Sequence, residues 1–154
     1  MQTGLAVADI MTRRPVTVPR NLSVRSAARI MKEKGVGSLL VVEQEELLGI
    51  LTKSDVIQEV VAEAKDAEKV TVGDIMTAAV ITIQPAQDVF DALVLMKENN
   101  IRHVPVLEKD ALAGFLTIKD VVKVNPDLFE IIRENIDLRE EERKLQANPF
   151  EPQL

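Results

Sequence analysis

Gly49-Ile50-Leu51-Thr52-Lys53-Ser54-Asp55 decides how the rest of the chain is read. Val41-Val42 and the run from Leu47 to Leu51 are apolar and β-prone, whereas Thr52 and Ser54 are residues that cap helix starts. The stretch therefore predicts a buried strand running into the first turn of a helix. Such a junction leaves backbone N–H groups unpaired at the positive end of a helix dipole, which suits an anion. The hydroxyls of Thr52 and Ser54 add donors for a phosphate, and the Asp55 carboxylate suits the vicinal hydroxyls of a ribose. Thr or Ser ahead of Asp is equally what an ordinary capped helix contains, so one copy does not separate capping from binding.

The chain contains a second copy. Gly114-Phe115-Leu116-Thr117-Ile118-Lys119-Asp120 repeats the stretch 65 residues later, and the register extends far beyond it. Val7-Ala8-Asp9-Ile10-Met11-Thr12 lies over Val72-Gly73-Asp74-Ile75-Met76-Thr77, and Met31-Lys32-Glu33 over Met96-Lys97-Glu98. Without a gap, roughly twenty of roughly fifty positions are identical, the mark of two like units that bury their apolar faces together.

Composition narrows the function. The chain has 154 residues, 46% hydrophobic and 29% charged, enough for a compact core. No apolar run approaches a membrane span and Met1-Gln2-Thr3-Gly4 begins no signal peptide, which fits a cytoplasmic protein. Zero Cys removes disulfides, thiolate catalysis and sulfur-rich metal sites together. Of the net charge of −6, residues 124–154 carry −4 (8 acids, 4 bases), which leaves −2 for the repeats. Between Ile10 and Lys32 lie Arg13, Arg14, Arg20, Arg25, Arg29 and Lys32 with no acid, either a solvated basic face or a site for a small anion. An acidic protein with one local basic segment is poorly suited to nucleic acid.

In order along the chain, Leu5–Met11 predicts a short lead-in helix and Val16–Val18 a short strand. Asn21 or Ser23 caps the next helix, which Gly35 ends in a left-handed conformation. Ser38–Glu43 and Leu47–Thr52 form a hairpin across Gln44-Glu45-Glu46, and Ser54 opens a helix to about Ala64. Lys65–Lys69 is a charged linker. The second unit repeats the order: Thr71 caps its lead-in, Val80–Ile83 is a strand and Asp88–Asn99 a helix. His103–Leu107 pairs with Ala113–Thr117, and Ile118–Val124 is helical until Asn125-Pro126. The fold class is α/β (α+β): two β-α-β-β-α units, 1–67 and 68–124. A C-terminal tail, 125–154, has Leu128, Phe129, Ile131, Ile132 and Ile136 on one side of an amphipathic helix.

At this point the sequence resembles the tandem cystathionine-β-synthase (CBS) domain pair, or Bateman module. The Asp-Ile-Met-Thr boxes at 9–12 and 74–77, the two Gly-x-x-Thr-x-x-Asp ends, and Arg102-His103-Val104-Pro105-Val106 carry the resemblance, which covers residues 5–124. It implies two units about a pseudo-twofold axis, with clefts between them that bind adenosine-containing ligands in many members. Asp55 and Asp120 would then bind ribose hydroxyls, and Thr52 and Thr117 phosphate or ribose oxygen. The base would lie against Pro15-Val16-Thr17 and Gly37-Ser38-Leu39 in a first cleft, and against Val80-Ile81-Thr82 and Arg102-His103-Val104-Pro105 in a second.

The second unit carries Arg102, His103 and Lys119, which pair with phosphate, where the first has Gly37, Ser38 and Ser54. His103, the only histidine, is either one of these phosphate groups or a ring packed beside Pro105. With one His and no Cys, no metal site is expected. Nucleophile elbow, P-loop and metal-hydrolase motifs are absent, so the chain is not read as an enzyme and requires no cofactor. Three readings remain: a regulatory sensor binding AMP, ADP or ATP, an unliganded interaction scaffold, and a binder of S-adenosylmethionine or nucleic acid. A sensor without an effector domain implies a separate effector protein or a signal passed through assembly. The repeats also diverge where Arg25 and Arg29 become Phe90 and Val94, four apart on one helical face. Bateman modules commonly pair through such helices, so a homodimer covering Phe90 and Val94 is expected, with cover by the chain's own tail helix as the competing account.

Overall fold

The computed structural model describes residues 2–130. Its first unit contains α1 (Val7–Ile10), β1 (Thr17–Val18), α2 (Val24–Lys34), β2 (Ser38–Glu43), β3 (Glu46–Thr52) and α3 (Lys53–Val56). The second contains α4 (Val72–Ile75), α5 (Val89–Asn99), β4 (His103–Glu108), β5 (Ala111–Thr117) and α6 (Ile118–Val124). Of the expected tail, residues 125–130 fall within the description. A 3-10 turn over Pro126–Phe129 buries Leu128 in the second core, and the remainder of the predicted helix lies outside the described residues.

The long helices begin and end where local chemistry dictates. The Ser23 side chain accepts from the Ser26 amide at the start of α2, and Gly35 closes it with φ 64°. Asp88 caps α5, and Asn100 takes the left-handed end at φ 54°. Both hairpins turn through two non-glycine residues at positive φ, Gln44-Glu45 and Lys109-Asp110. That matches the handedness of a tight β-turn at some steric expense.

Two expectations need correction. The helix predicted from Ser54 to about Ala64 starts one residue earlier, with Thr52 as its cap. After Val56 it widens into a π-helical stretch over Ile57–Val61 and stops there. The strand predicted at Val80–Ile83 is reduced to a single parallel bridge between Ile83 and Val106. In the first unit the Leu40 amide donates to the Val16 carbonyl at 3.2 Å and holds β1 on β2. The residue at Leu40's place in the second unit is Pro105, which has no N–H, so the equivalent rung cannot form.

The lead-ins, whose packing partner the sequence does not assign, each pack on the other unit. Val7 is fully buried in the core built by Val89, Leu93, Met96, Val104 and Leu116, whereas Val72 is buried with Val18, Met31, Val41 and Leu51. Backbone bonds fix the exchange: Thr12 and Phe115 bond reciprocally at 2.8 and 2.9 Å, as do Thr77 and Ile50 at 2.9 and 3.0 Å. These two pairs map onto each other under the 65-residue offset, which is what a pseudo-twofold relation between the units requires. The glycines of the repeated motif are explained by the same contact. A Cβ at Gly114 would stand 2.5 Å from Met11 Sδ and 2.9 Å from the Thr12 carbonyl. One at Gly49 would stand 2.7 Å from Met76 Sδ and 2.8 Å from the Thr77 carbonyl. Each Asp-Ile-Met-Thr box is thus matched to the glycine of the opposite unit.

Candidate functional site

The crossing of the first lead-in shapes a cleft. Thr12 is pinned to Phe115 in the second unit while Val18 lies in the first sheet, so residues 13–16 must bridge the units and form a wall between them. The cleft encloses about 720 Å³, within the range of small-molecule sites. Thr12, Arg14, Pro15 and Val16 line that wall. The first unit adds Gly35 to Ser38, Leu40, and Thr52 to Ser54; the second adds Arg102, His103, Phe115, Thr117 to Asp120, and Lys123. Leu40 and Phe115 belong to a small apolar cluster with Ile50 where the two sheets meet, and they give the cleft an apolar floor.

Both Thr-x-x-Asp motifs are capping boxes. The Thr52 amide donates to Asp55 Oδ2 at 2.7 Å, its hydroxyl does so at 2.9 Å, and the Asp55 amide returns to Thr52 Oγ1 at 3.3 Å. At Thr117 and Asp120 the same three distances are 2.9, 2.8 and 3.4 Å. Capping uses Oδ2 alone in both motifs, and Oδ1 of each carboxylate makes no hydrogen bond among the described residues. Because α3 is a single turn before its π-helical stretch and α6 only seven residues, a helix dipole supplies little of the cleft's field.

Side-chain cations supply it instead. Arg14, Lys53, Arg102, Lys119 and Lys123 surround the cleft, all exposed, with Asp120 the one carboxylate on its lining among the described residues. Among the described residues the ion pairs are Arg20 with Glu43 and Arg25 with Glu68, neither at the cleft. His103 adds no charge at neutral pH: burial pushes its pKa below the ordinary value, and nearby Asp55 only partly opposes that. Its ring packs against Phe115, with the ring centroids 5.7 Å apart.

Of the residues singled out in the sequence, Pro15, Val16, Gly37, Ser38, Thr52, Ser54, Arg102, His103, Thr117, Lys119 and Asp120 come together in this cleft. The sequence leaves open which cleft the Arg102-His103 pair faces, because that depends on the pseudo-twofold arrangement. Pro15, Val16, Gly37 and Ser38 share their cleft with Arg102 and His103, because the exchanged lead-in sets the first unit's wall opposite the second unit's Thr-x-x-Asp. Leu39 and Val104 are sealed in the two cores and Pro105 is buried, so their side chains do not reach the lining. Thr17, Val80, Ile81, Thr82 and Asp55 also lie off it; Val80 packs on the Leu40–Phe115 cluster, and Asp55 sits near His103. Arg14, marked in the sequence as part of a basic segment suited to a small anion, lines the cleft, and lining residues not anticipated as site residues include Thr12, Lys53, Phe115, Ile118 and Lys123. Lys123 follows Lys119 by four residues on one helix, a spacing that could have flagged it. The other residues needed the crossing to be known.

Away from the cleft, Phe90 and Val94 on α5 are half-buried and belong to neither core, while their counterparts Arg25 and Arg29 are exposed. Among the described residues no helix is long and apolar enough to cross a membrane, and no cluster of three His, Cys, Asp or Glu is placed to hold a metal.

The CBS domain family model matches the chain twice, at residues 7–62 and 72–127. A protein of Methanopyrus kandleri of uncharacterized role is 31% identical over 141 residues, which covers 90% of this chain and 72% of that protein. A solved structure described as a signal-transduction protein with CBS domains, from Burkholderia ambifaria, superposes with TM-score 0.74 at 36% identity, covering 80% of this chain and 96% of that one. A CBS domain pair solved in complex with 5′-methylthioadenosine and S-adenosyl-L-methionine superposes with TM-score 0.70 at 30% identity, covering 78% and 94%.

Proposed function

The chain belongs to the CBS domain family as a tandem pair, a regulatory module, and on that premise we propose that it senses an adenine nucleotide, AMP, ADP or ATP, bound between its two units. The observation that carries this reading is the meeting, in one cleft, of three complementary surfaces. Asp120 offers ribose hydroxyls a carboxylate oxygen that makes no hydrogen bond among the described residues, Leu40, Phe115, Pro15 and Val16 form an apolar slot for a base, and five cations without an ion pair among the described residues face the phosphates. The methylthioadenosine and S-adenosylmethionine held by the similar pair support an adenosine-containing ligand. The cations favour a phosphate-bearing one here, since the sulfonium and ammonium of S-adenosylmethionine would be repelled.

The binding module carries no chemistry of its own in this reading. It acts in the cytoplasm on a separate effector protein, or through pairing with a second copy of itself across Phe90 and Val94. Calorimetric titration with AMP, ADP, ATP and S-adenosylmethionine, paired with thermal shift, tests the ligand. Heat and stabilisation with the nucleotides are expected, and silence up to millimolar concentrations would leave the chain an unliganded scaffold.

A further inference from the structure

The two units fasten the segment that enters each lead-in by different means. In both, an extended stretch runs beside the head of the long helix. The Val24 amide donates to the Val70 carbonyl at 2.9 Å in the first unit, and the Val89 amide to the Leu5 carbonyl at 2.9 Å in the second. Matching bridges join Ser23 to Thr71 and Asp88 to Ala6. The first unit adds the exposed ion pair of Arg25 with Glu68. Under the 65-residue offset that pair becomes Phe90 and Thr3, which cannot form one.

Asp88 fastens the second unit instead. Its Oδ1 accepts the Thr3 hydroxyl and the Phe90 amide, each at 2.8 Å, and its Oδ2 accepts the Gly4 amide at 3.0 Å. The Thr3 amide lies 3.1 and 3.0 Å from the two oxygens, and the Thr3 hydroxyl accepts from the Leu5 amide at 3.1 Å. A helix cap needs one such acceptor. This carboxylate uses both oxygens, and the donors at Thr3 and Gly4 lie 85 and 84 residues away in sequence. Ser23, at the same place in the first unit, bonds through its side chain only to Ser26 among the described residues.

The two fastened segments lead to different places. The one on the second unit runs through α1 and Thr12 into residues 13–16, which set Arg14, Pro15 and Val16 along the cleft. Its counterpart runs through α4 and Thr77 to Ala78 and Ala79, which do not line that cleft. Each step from Asp88 to the wall is bonded. The Ala6 amide donates to Asp9 Oδ2 at 2.9 Å, the Arg13 guanidinium donates to the Ala8 carbonyl at 3.1 Å, and Thr12 is paired with Phe115. The Leu40 amide holds the far end of the wall at the Val16 carbonyl.

We infer that Asp88 is a positioning residue for the cleft: by clamping Thr3 and Gly4 to the head of α5, it holds the lead-in that presents Arg14, Pro15 and Val16 to the ligand. Asp88 itself does not line the cleft. The inference rests on the nucleotide reading above for the ligand, and adds a residue outside the site that sets its affinity. A wall held in place beforehand needs less ordering on binding, so loosening the clamp weakens binding without removing a contact.

Amide exchange and ATP calorimetry on the full chain test it, with Asp88→Asn as the main variant. Asparagine keeps an oxygen for the Phe90 amide and caps helices equally well, but its NH2 would face the Thr3 and Gly4 amides donor to donor. Exchange at the Thr12 and Leu40 amides should quicken at least tenfold, with Leu93 and Met96 inside α5 unchanged, and ATP should bind several-fold more weakly. Thr3→Val leaves the cap whole, so it decides alone should Asp88→Asn fail to fold; the same amides and the same affinity should move by less. Glu68→Gln, which breaks the first unit's fastening, should match wild type in both readouts. Unaltered exchange at Thr12 and Leu40 would overturn the inference, as would quickened exchange with full ATP affinity. Equal acceleration inside α5 would make Asp88 a helix cap alone. Silence of ATP with wild type would remove the nucleotide reading, and exchange at the wall would still decide the clamp.

Discussion

The two units are built on one backbone plan and diverge at three kinds of place. Leu40 gives β2 an amide that holds β1, and Pro105 withholds it, so the second unit has a bridge where the first has a strand. Gly37 and Ser54 stand where Arg102 and Lys119 stand, so the cations gather on one side of the pseudo-twofold axis. Arg25 and Arg29 stand where Phe90 and Val94 stand, so one long helix is charged outward and the other apolar. What has not diverged is the set of positions where the units grip each other: the Asp-Ile-Met-Thr boxes, the opposing glycines and the buried valines Val7 and Val72. Each of these touches the partner unit, so a change in one copy must be met by a change in the other. Lining and outer-face positions meet solvent or ligand and carry no such constraint.

The largest effect should come from making the first unit like the second. Leu40→Pro removes the amide bonded to Val16, leaves that carbonyl unpaired and truncates a fully buried side chain. A loss of about 3–4 kcal/mol is expected in urea unfolding. The fold should persist with β1 released, seen as faster amide exchange at Thr17 and Val18. Retained protection there would break the explanation given for the missing strand.

Next in size are the motif glycines. Gly114→Ala and Gly49→Ala should each cost about 1–3 kcal/mol through overpacking against the exchanged lead-in. Met11→Ala should not rescue Gly114→Ala, because the Thr12 carbonyl remains 2.9 Å from the new carbon. Full rescue would assign the constraint to the methionine alone.

The two helix caps give a difference readable in pH. Asp88 receives the Thr3 and Gly4 amides, the Thr3 hydroxyl and the Phe90 amide, whereas Ser23 binds only its own first turn. Partial desolvation would raise its pKa, but these donors override it and hold the pKa to about 2 from an ordinary 3.8. A group whose pKa is depressed on folding stabilises above its unfolded value and loses that contribution as pH falls through the folded one. Wild type should therefore exceed Asp88→Ser by a constant margin above about pH 4, and the margin should shrink between pH 4 and pH 2. An unchanging margin would show that the carboxylate's charge is not what matters.

The smallest effect falls where the units agree. Glu45→Gly and Asp110→Gly relieve left-handed strain at matching turn positions and should each stabilise by up to about 1 kcal/mol, equally within error. Unequal gains would point to tertiary contacts at one hairpin.

Much of this was legible in the residues. The repeat, the hairpins, a cap at Asn21 or Ser23 (the structure uses Ser23), Thr71 as a cap and Gly35 as a left-handed end follow from local chemistry, and local chemistry acts within a few residues. The exchange of lead-ins did not follow, because hydrophobic spacing marks which face of Val7–Ile10 is buried and not which unit buries it. Pro105 was read as part of a strand signature, yet its consequence lands on residues 81–83, more than twenty positions earlier. The grouping of the cleft is a result of that same exchange. Sequence named most of its polar members, but which cleft the Arg102-His103 pair faces depends on the pseudo-twofold arrangement, which no local pattern carries.

The most direct test of the account is nucleotide calorimetry on Asp120→Ala beside Asp55→Ala, with Asp120→Asn as a control that keeps an oxygen for the Thr117 amide. Asp120 lines the cationic cleft and Asp55 does not. Losing a charged acceptor to ribose should cost on the order of 1.5–3 kcal/mol, roughly ten- to a hundredfold in affinity. The account predicts that loss for ATP in Asp120→Ala with its thermal unfolding still cooperative, and a smaller loss in Asp55→Ala. ATP binding to Asp120→Ala as tightly as to wild type would contradict it and return both motifs to helix capping.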